Sequence, residues 1–272
     1  MMRGSGVVVG VAAWVAACVG TTGGQLVTFS AAASGPVDAR PGMPLEFTTG
    51  AWHIVLTKAT LHVGAVYLDQ SLPVSGSQGT SCILPGTYVA QVTTGQDVDL
   101  LSPMPQPFPV QGQGTTLFPA LVGQIWLTCG NINDEAQATC RAGTPATPVL
   151  IVTGTADDQK GATIPFEGTI TIGPNRQATG SQAAGGDPIC KERIVSIPTN
   201  VAVQSTGGLL LRIDPRQLFN LVDFSQLMKL ADGNYGFSDD PSSPAYTQPS
   251  RNLYQNLRSA GTLYTFSWSD NL

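Results

Sequence analysis

Residues 52–70, WHIVLTKATLHVGAVYLDQ, decide the fold of this chain. The apolar residues that could fill a core change parity twice along this stretch. The three sets are Trp52, Ile54 and Leu56, then Ala59, Leu61 and Val63, and then Val66 and Leu68. Because successive side chains of a strand point to opposite faces, each change of parity requires one extra residue if a single face is to stay buried. The sequence therefore predicts bulges or bends near Thr57–Lys58 and near Gly64–Ala65.

The same stretch and the composition predict an all-β protein. Residues 52–70 are expected to form a long bent strand, or two strands that cross a corner, inside a β-sandwich. Only 11% of the residues are charged, whereas 31 are Gly and 20 are Pro, a composition typical of strands joined by turns. The pattern predicts roughly 10–13 short strands. We therefore expect an antiparallel β-sandwich of the Greek-key type, with one or two short helices near the C-terminus.

Two helices are predicted late in the chain. Asp214 can cap a helix whose first turn contains Pro215, since the fixed φ of proline suits that position. The second helix is expected over Ser250–Ala260, where Leu253 and Leu257 are four residues apart on one face.

Three segments are predicted to lie outside the sheets. Residues 103–114 contain four prolines and two glycines, so they are expected to cross the surface rather than form a central strand. Residues 175–186 are predicted to form a mobile polar loop, and residues 232–248 a long loop rich in Gly, Asp, Ser and Pro.

The N-terminus is predicted to be an export signal. Arg3 precedes the apolar run Val7–Ala17, which is too short to span a bilayer comfortably. The run ends in VAAC, residues 15–18, which resembles the bacterial lipobox, where small residues precede a cysteine that is acylated and becomes the new N-terminus. We therefore expect lipidation at Cys18. The alternative is an ordinary secretory signal with a chance cysteine.

This interpretation also predicts the domains and the location. Residues 1–17 are expected to be the signal peptide, residues 18–24 a lipidated tether, and residues 25–272 a single β-sandwich domain. Val19 is not Asp, so the usual cue for retention at the inner membrane is missing. We expect an outer-membrane lipoprotein that faces the periplasm or the cell surface, with the membrane as its partner through the acyl chains.

The charge balance argues against binding to nucleic acid. The chain has 13 basic and 18 acidic residues, and removal of the signal peptide takes away one more positive charge, that of Arg3. Because acidic residues are in excess and the basic residues do not cluster, the sequence predicts no basic surface that could bind the phosphate backbone of a nucleic acid.

Four cysteines follow Cys18, namely Cys82, Cys129, Cys140 and Cys190. An even number in an exported protein predicts two disulfides, for which three connectivities are possible. We favour Cys129–Cys140, which closes a short polar loop, together with Cys82–Cys190. The alternative is a metal site, but no CxxC pair exists and no histidine lies near a cysteine in sequence.

The sequence predicts no catalytic residue. His53 and His62 are the two histidines of the chain. In one continuous strand they would be roughly 25–30 Å apart and could share neither a metal nor a proton, although a fold at the bulge could bring them together. Their parity predicts surface or second-sheet histidines. Asp97 and Asp99 are predicted to be solvated, and no GxSxG or HExxH motif indicates a serine hydrolase of that type or a zinc protease.

A calcium site is predicted in the loop DGNYGFSDD, residues 232–240. The ligands would be the side-chain oxygens of Asp232, Asn234, Asp239 and Asp240. The loop is not an EF-hand, because Gly236 stands where a third side-chain ligand belongs and no Glu follows at the bidentate position. The alternative is a solvated acidic loop. No other cofactor is expected.

Trp126 is a weak candidate for ligand contact. In GQIWLTC, Ile125 and Leu127 point one way, whereas Trp126 points the other way with Gln124 and Thr128. An outward Trp either contacts a ligand, such as a sugar or a partner protein, or is covered by a neighbouring loop.

The order of segments resembles that of the methanobactin-associated periplasmic copper-binding (MbnP-like) β-sandwich family. The segments that carry the resemblance are Leu45–Phe47, Val55–Leu68, Pro85–Tyr88 and Leu209–Phe219. The resemblance implies a periplasm-side sandwich with a surface metal or redox site. The Trp/Met-rich copper segment of that family has no counterpart here, since Met43, Met104 and Met228 are scattered, so no site residue is carried over. The chain also resembles uncharacterised bacterial secreted lipoproteins.

The sequence thus leaves three hypotheses for function. The first is a non-enzymatic, lipid-anchored protein of the cell envelope with a binding or structural role. The second is a periplasmic metal-handling protein, in particular for copper. The third is an enzyme that acts on glycans through carboxylates, which requires two carboxyl groups about 5–10 Å apart in a groove.

Overall fold

The computed structural model describes residues 24–71, 87–127, 148–171 and 193–272, and these form 16 strands, one α-helix and two 3₁₀ helices. The strands are β1 (Leu26–Ser34), β2 (Leu45–Thr49), β3 (Trp52–Val63), β4 (Val66–Asp69), β5 (Tyr88–Val92), β6 (Gln96–Asp99), β7 (Gln106–Pro107), β8 (Gly112–Thr115), β9 (Ala120–Trp126), β10 (Leu150–Asp157), β11 (Thr163–Ile170), β12 (Arg193–Val201), β13 (Gly208–Ile213), β14 (Met228–Lys229), β15 (Tyr235–Ser238) and β16 (Tyr264–Ser269). The 3₁₀ helices are Pro215–Phe219 and Phe224–Gln226, and the α-helix is α1 (Gln248–Leu257).

The strands form two sheets that share one apolar core. The nine-stranded sheet has the order β12-β9-β4-β5-β8-β1-β13-β16, with β7 also paired to β1. The seven-stranded sheet has the order β14-β15-β11-β10-β3-β2, with β6 also paired to β3. Side chains from both sheets, such as Leu61 of β3 and Leu68 of β4, belong to the same buried cluster. The predicted all-β sandwich is confirmed.

The pairing differs from the prediction in one respect. Most neighbouring strands are antiparallel, but β1 and β13 are parallel, and so are β11 and β15. Both sheets are therefore mixed rather than purely antiparallel. A parallel pair requires a long connection between its strands, and here the partners come from distant parts of the chain, so the local pattern contains no sign of them.

Residues 52–70 cross from one sheet to the other. Strand β3 lies in the seven-stranded sheet and β4 in the nine-stranded sheet, and Gly64 and Ala65 separate them. Gly64 N donates to Trp126 O, and Trp126 N donates to Ala65 O. Because β9 supplies partners to the backbone at the corner, the chain turns without leaving these groups unsatisfied. The predicted corner is confirmed.

The first predicted bulge is also confirmed. The register between β3 and β10 shifts so that Thr153 pairs with Lys58 and Gly154 pairs with Leu56, which leaves Thr57 as the extra residue. Thr57 and Lys58 are both exposed, and the Thr57 hydroxyl donates to Thr153 O at 3.1 Å. The bulge therefore absorbs the change of parity and keeps one face of β3 buried.

The expectation of a surface crossing at residues 103–114 is wrong in part. Strand β8 lies inside the nine-stranded sheet, between β5 and β1. A Cβ at Gly112 would lie 2.3 Å from a ring carbon of Phe29. The absence of a side chain at Gly112 therefore makes room for Phe29. Glycine is usually unfavourable in a strand, but strand β8 requires it at this position. Strand β15 was missed for a similar reason, since residues 232–248 have the composition of a loop.

The helices lie near their predicted positions. Asp214 caps the first 3₁₀ helix by accepting a hydrogen bond from Arg216 N, and Pro215 occupies its first turn. Helix α1 buries Leu253 and Leu257, as expected. Among the described residues, no helix is long and apolar enough to cross a membrane.

Four phenylalanines fix the 3₁₀ helices to the seven-stranded sheet. Phe219 and Phe224 come from the 3₁₀ helices, whereas Phe166 and Phe237 come from β11 and β15. Every pair among the four has a ring-centroid distance between 5.1 and 6.4 Å. Such edge-to-face, tilted and stacked contacts stabilise the core beyond the burial of area alone.

Candidate binding site

A small pocket lies where three chain segments meet at one end of the nine-stranded sheet. The segments are residues 36–38 after β1, residues 212–216 at the end of β13, and residues 262–265 at the start of β16. The pocket has a volume of about 220 Å³. Sites for drug-sized ligands usually exceed about 300 Å³, so this pocket is suited to a small molecule or to one end of a larger one.

The pocket lies on the face of the sheet that is opposite to the core. Leu211 and Ile213 of β13 belong to the core cluster, and Arg212 between them must point to the other face. Ser34 of β1 and Thr265 of β16 pair directly with Arg212 on either side. Directly paired residues project from the same face of a sheet, so Ser34, Arg212 and Thr265 form a polar row across three adjacent strands.

Arg216 ties two walls of the pocket together. Its Nε donates to the two carboxylate oxygens of Asp214 at 2.8 and 3.0 Å, and its Nη1 and Nη2 donate to Asp38 at 2.8 and 3.1 Å. The hydrogen bond from Arg216 holds the pKa of Asp38 below its usual value. The same two carboxylates, first Asp214 and then Asp38, raise the pKa of Arg216. The contact is bidentate toward Asp38, whereas the single Nε–H is shared between the two oxygens of Asp214. Together these hydrogen bonds fix the loop after β1 against the first 3₁₀ helix.

Arg212 differs from Arg216 because one of its guanidinium nitrogens has no hydrogen-bond partner among the described residues. Its Nη1 is buried and has no hydrogen-bond partner within the described part of the chain. The buried hydroxyl of Ser34 beside it also lacks a partner there. Leaving a buried donor unsatisfied costs about 1–3 kcal/mol, and more for a charged group. This part of the outer face therefore carries donors that are suited to an acceptor from outside the described chain.

The charges in the pocket define what it can bind. Asp38 and Asp214 outweigh the single positive charge of Arg216, and Arg212 brings the local sum to zero. A guanidinium does not give up its proton in proteins, so Arg212 can hold and orient an acceptor but cannot act as a general acid or base. The arrangement favours recognition over proton transfer.

Replacing Asp38 by Asn should make the protein less stable at neutral pH, by no more than about 1 kcal/mol, since this pair is partly exposed. The pKa of Asp38 is lower in the folded protein than its usual value of 3.8. Its contribution is therefore present above that value and is lost as the pH falls through the folded-state pKa. Urea unfolding at neutral and acidic pH should show a difference between wild type and Asp38→Asn that shrinks on acidification.

The exposed carboxylate of Asp270 provides the control for this experiment. Asp270→Asn should change the free energy of unfolding little at either pH, because surface substitutions have small effects. An Asp38→Asn difference that is as large in acid as at neutral pH would contradict the assigned ion pair.

A second polar feature joins His62 to Asp97. Strands β3 and β6 place the two residues directly opposite each other, and His62 Nδ1 lies 2.7 Å from Asp97 Oδ1. The carboxylate of Asp97 is 55% exposed, as expected for a solvated acid, and it is also hydrogen bonded to the nearly buried ring of His62. A Cβ at Gly95 would lie 2.9 Å from His62 Nε2, so the other ring nitrogen lies close to the backbone.

His53 lies apart from this pair, near the start of β3. Its Nε2 is 4.0 Å from Glu46 Oε2 and its side chain is 41% exposed, in agreement with a surface histidine. Within residues 24–71, 87–127, 148–171 and 193–272, no three His, Cys, Asp or Glu side chains are grouped so that they could hold a metal ion.

Trp126 points away from the core, but it is fully buried at 0% exposure. Gln124 on the same face is also buried, and its Nε2 donates to Asp69 Oδ2 at 2.6 Å. The alternation in β9 therefore predicts correctly that Trp126 points away from the core. Of the two interpretations of an outward Trp, the one in which other groups cover it describes its environment. A ligand contact at Trp126 stays a prediction, and it would require the covering groups to move.

The carboxylates of the loop over residues 232–240 accept hydrogen bonds from different partners. Asp232 accepts hydrogen bonds from Asn234, and Asp240 accepts them from Ser242. Asp239 is buried and accepts hydrogen bonds from Thr171 N and Oγ1 at 2.9 and 3.1 Å. Strand β15 separates Asp232 from the other two acids. Calcium binding by Asp232, Asn234, Asp239 and Asp240 stays a prediction that this geometry does not favour.

Several predictions lie outside the described residues. These are the signal peptide over residues 1–17, lipidation at Cys18, the polar loop over residues 175–186, and the disulfides Cys129–Cys140 and Cys82–Cys190. They stay predictions.

The sequence contains little that indicates the pocket. Arg212 and Arg216 stand four residues apart around Asp214 in RIDPR, and two arginines that flank an acid are a weak sign of an ion-pair cluster. Asp38, however, is 178 residues from Arg216, and no local pattern indicates that these two residues meet.

Comparison with known proteins gives one structural similarity. The fold is similar to that of MbnP from Methylosinus trichosporium, with a TM-score of 0.38 and 13% sequence identity. The similarity covers 90% of this chain and 99% of that chain. No protein-family model and no curated protein matches the sequence.

Proposed function

We propose that this protein is a lipid-anchored β-sandwich of the cell envelope with a non-enzymatic binding role. The observation that carries the binding role is the pocket on the outer face of the nine-stranded sheet, where the buried Nη1 of Arg212 has no partner within the described residues. The anchor rests on the sequence VAAC at residues 15–18.

The pocket is built on rigid elements, as a binding site requires. Arg212 lies in β13, which is hydrogen bonded to β1 on one side and to β16 on the other. The rim is fixed by the hydrogen bonds that Arg216 donates to Asp38 and Asp214. A site that is held in place before the ligand arrives loses less entropy on binding.

The anchor places this binding site outside the cytoplasm. Acylation at Cys18 would tether the sandwich to the membrane through residues 18–24, and more than one acyl chain is needed for stable attachment. Val19 favours the outer membrane. The pocket would then be presented to molecules of the periplasm or of the cell exterior.

Palmitate labelling tests the anchor. The full chain, expressed in a bacterial host, should incorporate labelled palmitate and fractionate with the outer membrane, whereas Cys18→Ala should lose the label. Val19→Asp is the matched control, because it should keep the label and move the protein toward the inner membrane. A labelled Cys18→Ala protein, or a wild type without label, would refute the lipid anchor.

A further inference from the structure

We infer that the pocket at Arg212 binds a singly charged carboxylate group of a small molecule. This inference rests on the proposed binding role and adds the chemical class of the ligand. Three properties of the pocket lead to it, namely the buried Nη1 of Arg212 that has no partner among the described residues, the charges around it and the volume.

The guanidinium of Arg212 selects an acceptor. Its Nη1 is buried without a hydrogen-bond partner among the described residues, whereas every nitrogen of the neighbouring Arg216 donates to a carboxylate. A guanidinium presents its donors as a planar fork that matches the two oxygens of a carboxylate. Thr265, paired with Arg212 across the sheet, adds a hydroxyl to the lining.

The charges around Arg212 select a monoanion. Asp38 and Asp214 line the same pocket, and Arg216 offsets only one of their two charges. Because Arg212 already brings the sum of these four charges to zero, a bound carboxylate leaves one net negative charge, held directly against the Arg212 guanidinium. A doubly charged phosphate would add a second negative charge next to these acids, and like charges this close repel.

The volume selects a small group. About 220 Å³ is below the usual range of sites for drug-sized ligands, about 300–1,000 Å³. Pro36 and Leu263 add apolar surface to the lining, so a carboxylate with a short, partly apolar body fits. The group can belong to a free acid or to the end of a longer molecule.

Isothermal titration of the full chain tests this inference. The probes are N-acetylglycine, its neutral amide N-acetylglycinamide and inorganic phosphate, at constant ionic strength and about pH 8, where most of the phosphate is doubly charged. We expect saturable binding of N-acetylglycine that is at least about tenfold tighter than binding of the amide, because hydrogen bonds to charged groups are worth about 1.5–3 kcal/mol and each 1.4 kcal/mol is tenfold in affinity. Phosphate should bind more weakly than N-acetylglycine.

Variants locate the binding site. Arg212→Gln should weaken binding of N-acetylglycine about tenfold or more, whereas Arg40→Gln, at an exposed arginine outside the pocket, should leave it unchanged. Circular dichroism checks that both variants are folded. If Arg212→Gln does not fold, the inference is tested by the wild type alone, through the difference in affinity between N-acetylglycine and N-acetylglycinamide.

Each failure has a distinct meaning. Equal binding of acid and amide would refute the carboxylate but leave a binding pocket. Tighter binding of phosphate would refute the monoanion, and no saturable binding of N-acetylglycine would refute the inference as a whole. None of these results affects the palmitate label at Cys18, so the lipid anchor is tested independently by the labelling experiment.

Discussion

Deletion of Thr60 should unfold the sandwich, whereas deletion of Thr57 should leave it folded. Without Thr60, the residues that follow in β3 shift by one position, so Leu61 and Val63 turn to the outer face and His62 turns into the core. In the wild-type protein, the side chains of Leu61 and Val63 are both fully buried. Burial of each is worth about 1.5–3 kcal/mol, and the rotation of His62 into the core separates its ring from the Asp97 carboxylate, which adds a further cost. The sum is comparable with the lower end of the stability of a typical domain, about 5–15 kcal/mol.

Deletion of Thr57 is the matched control because it removes the bulge itself. Leu56 then precedes Lys58 directly, and Leu56 and Ala59 keep facing the core in plain alternation. The loss is limited to the local bend and the hydrogen bond from the Thr57 hydroxyl to Thr153 O, about 0.5–1.5 kcal/mol. Circular dichroism and urea unfolding of the two deletions provide the comparison. Unfolding by the Thr57 deletion, with tolerance of the Thr60 deletion, would contradict the assigned bulge.

Phe219→Ala should lower the free energy of unfolding by about 3–5 kcal/mol, the usual cost of emptying a buried aromatic site. Phe219 has no exposed surface, and its ring lies 5.6 Å from that of Phe166 and 5.9 Å from that of Phe224. The substitution removes the contacts that attach the first 3₁₀ helix to the seven-stranded sheet. Urea unfolding measures the loss.

Leu221→Ala, two residues further along the chain, is the control for this substitution. Leu221 is 89% exposed and has a left-handed backbone with φ of 58°, a strain that alanine shares. Its truncation should change the stability by no more than about 0.5 kcal/mol. Similar losses for Phe219→Ala and Leu221→Ala would show that the aromatic cluster does not hold this part of the fold.

Alternation along a strand is a local property, and it predicted much of the fold. Strands β3 (Trp52–Val63) and β4 (Val66–Asp69) lie within residues 52–70, where two strands crossing a corner were expected. The bulge at Thr57 and the corner at Gly64–Ala65 could be inferred because a change of parity has only one physical remedy, an extra residue. The cap at Asp214 followed from the chemistry of the first helical turn.

Features that depend on distant partners could not be predicted. The parallel pair of β1 and β13 has no signature in either strand. Strand β8 was missed because a Gly-rich strand has no side-chain alternation, and the need for Gly112 is apparent only once Phe29 lies against it.

The candidate site shows the same limit. Asp38 meets Arg216 across 178 residues, and His62 meets Asp97 across 35. Both contacts depend on tertiary register rather than on spacing along the chain. The face of Trp126 could be read from alternation in β9, but its burial could not, because groups from elsewhere in the fold decide what covers an outward side chain.

The side-chain NMR signals of arginine test most directly whether Arg212 is the ligand-binding group. In the full chain with isotope-labelled arginine, N-acetylglycine should shift the guanidinium signal of Arg212, assigned from its loss in Arg212→Gln, with saturation. The signals of Arg40 and Arg251, both exposed and outside the pocket, should not change. A signal of Arg212 that stays unshifted up to saturating ligand, or equal shifts at all three arginines, would contradict a binding site at Arg212.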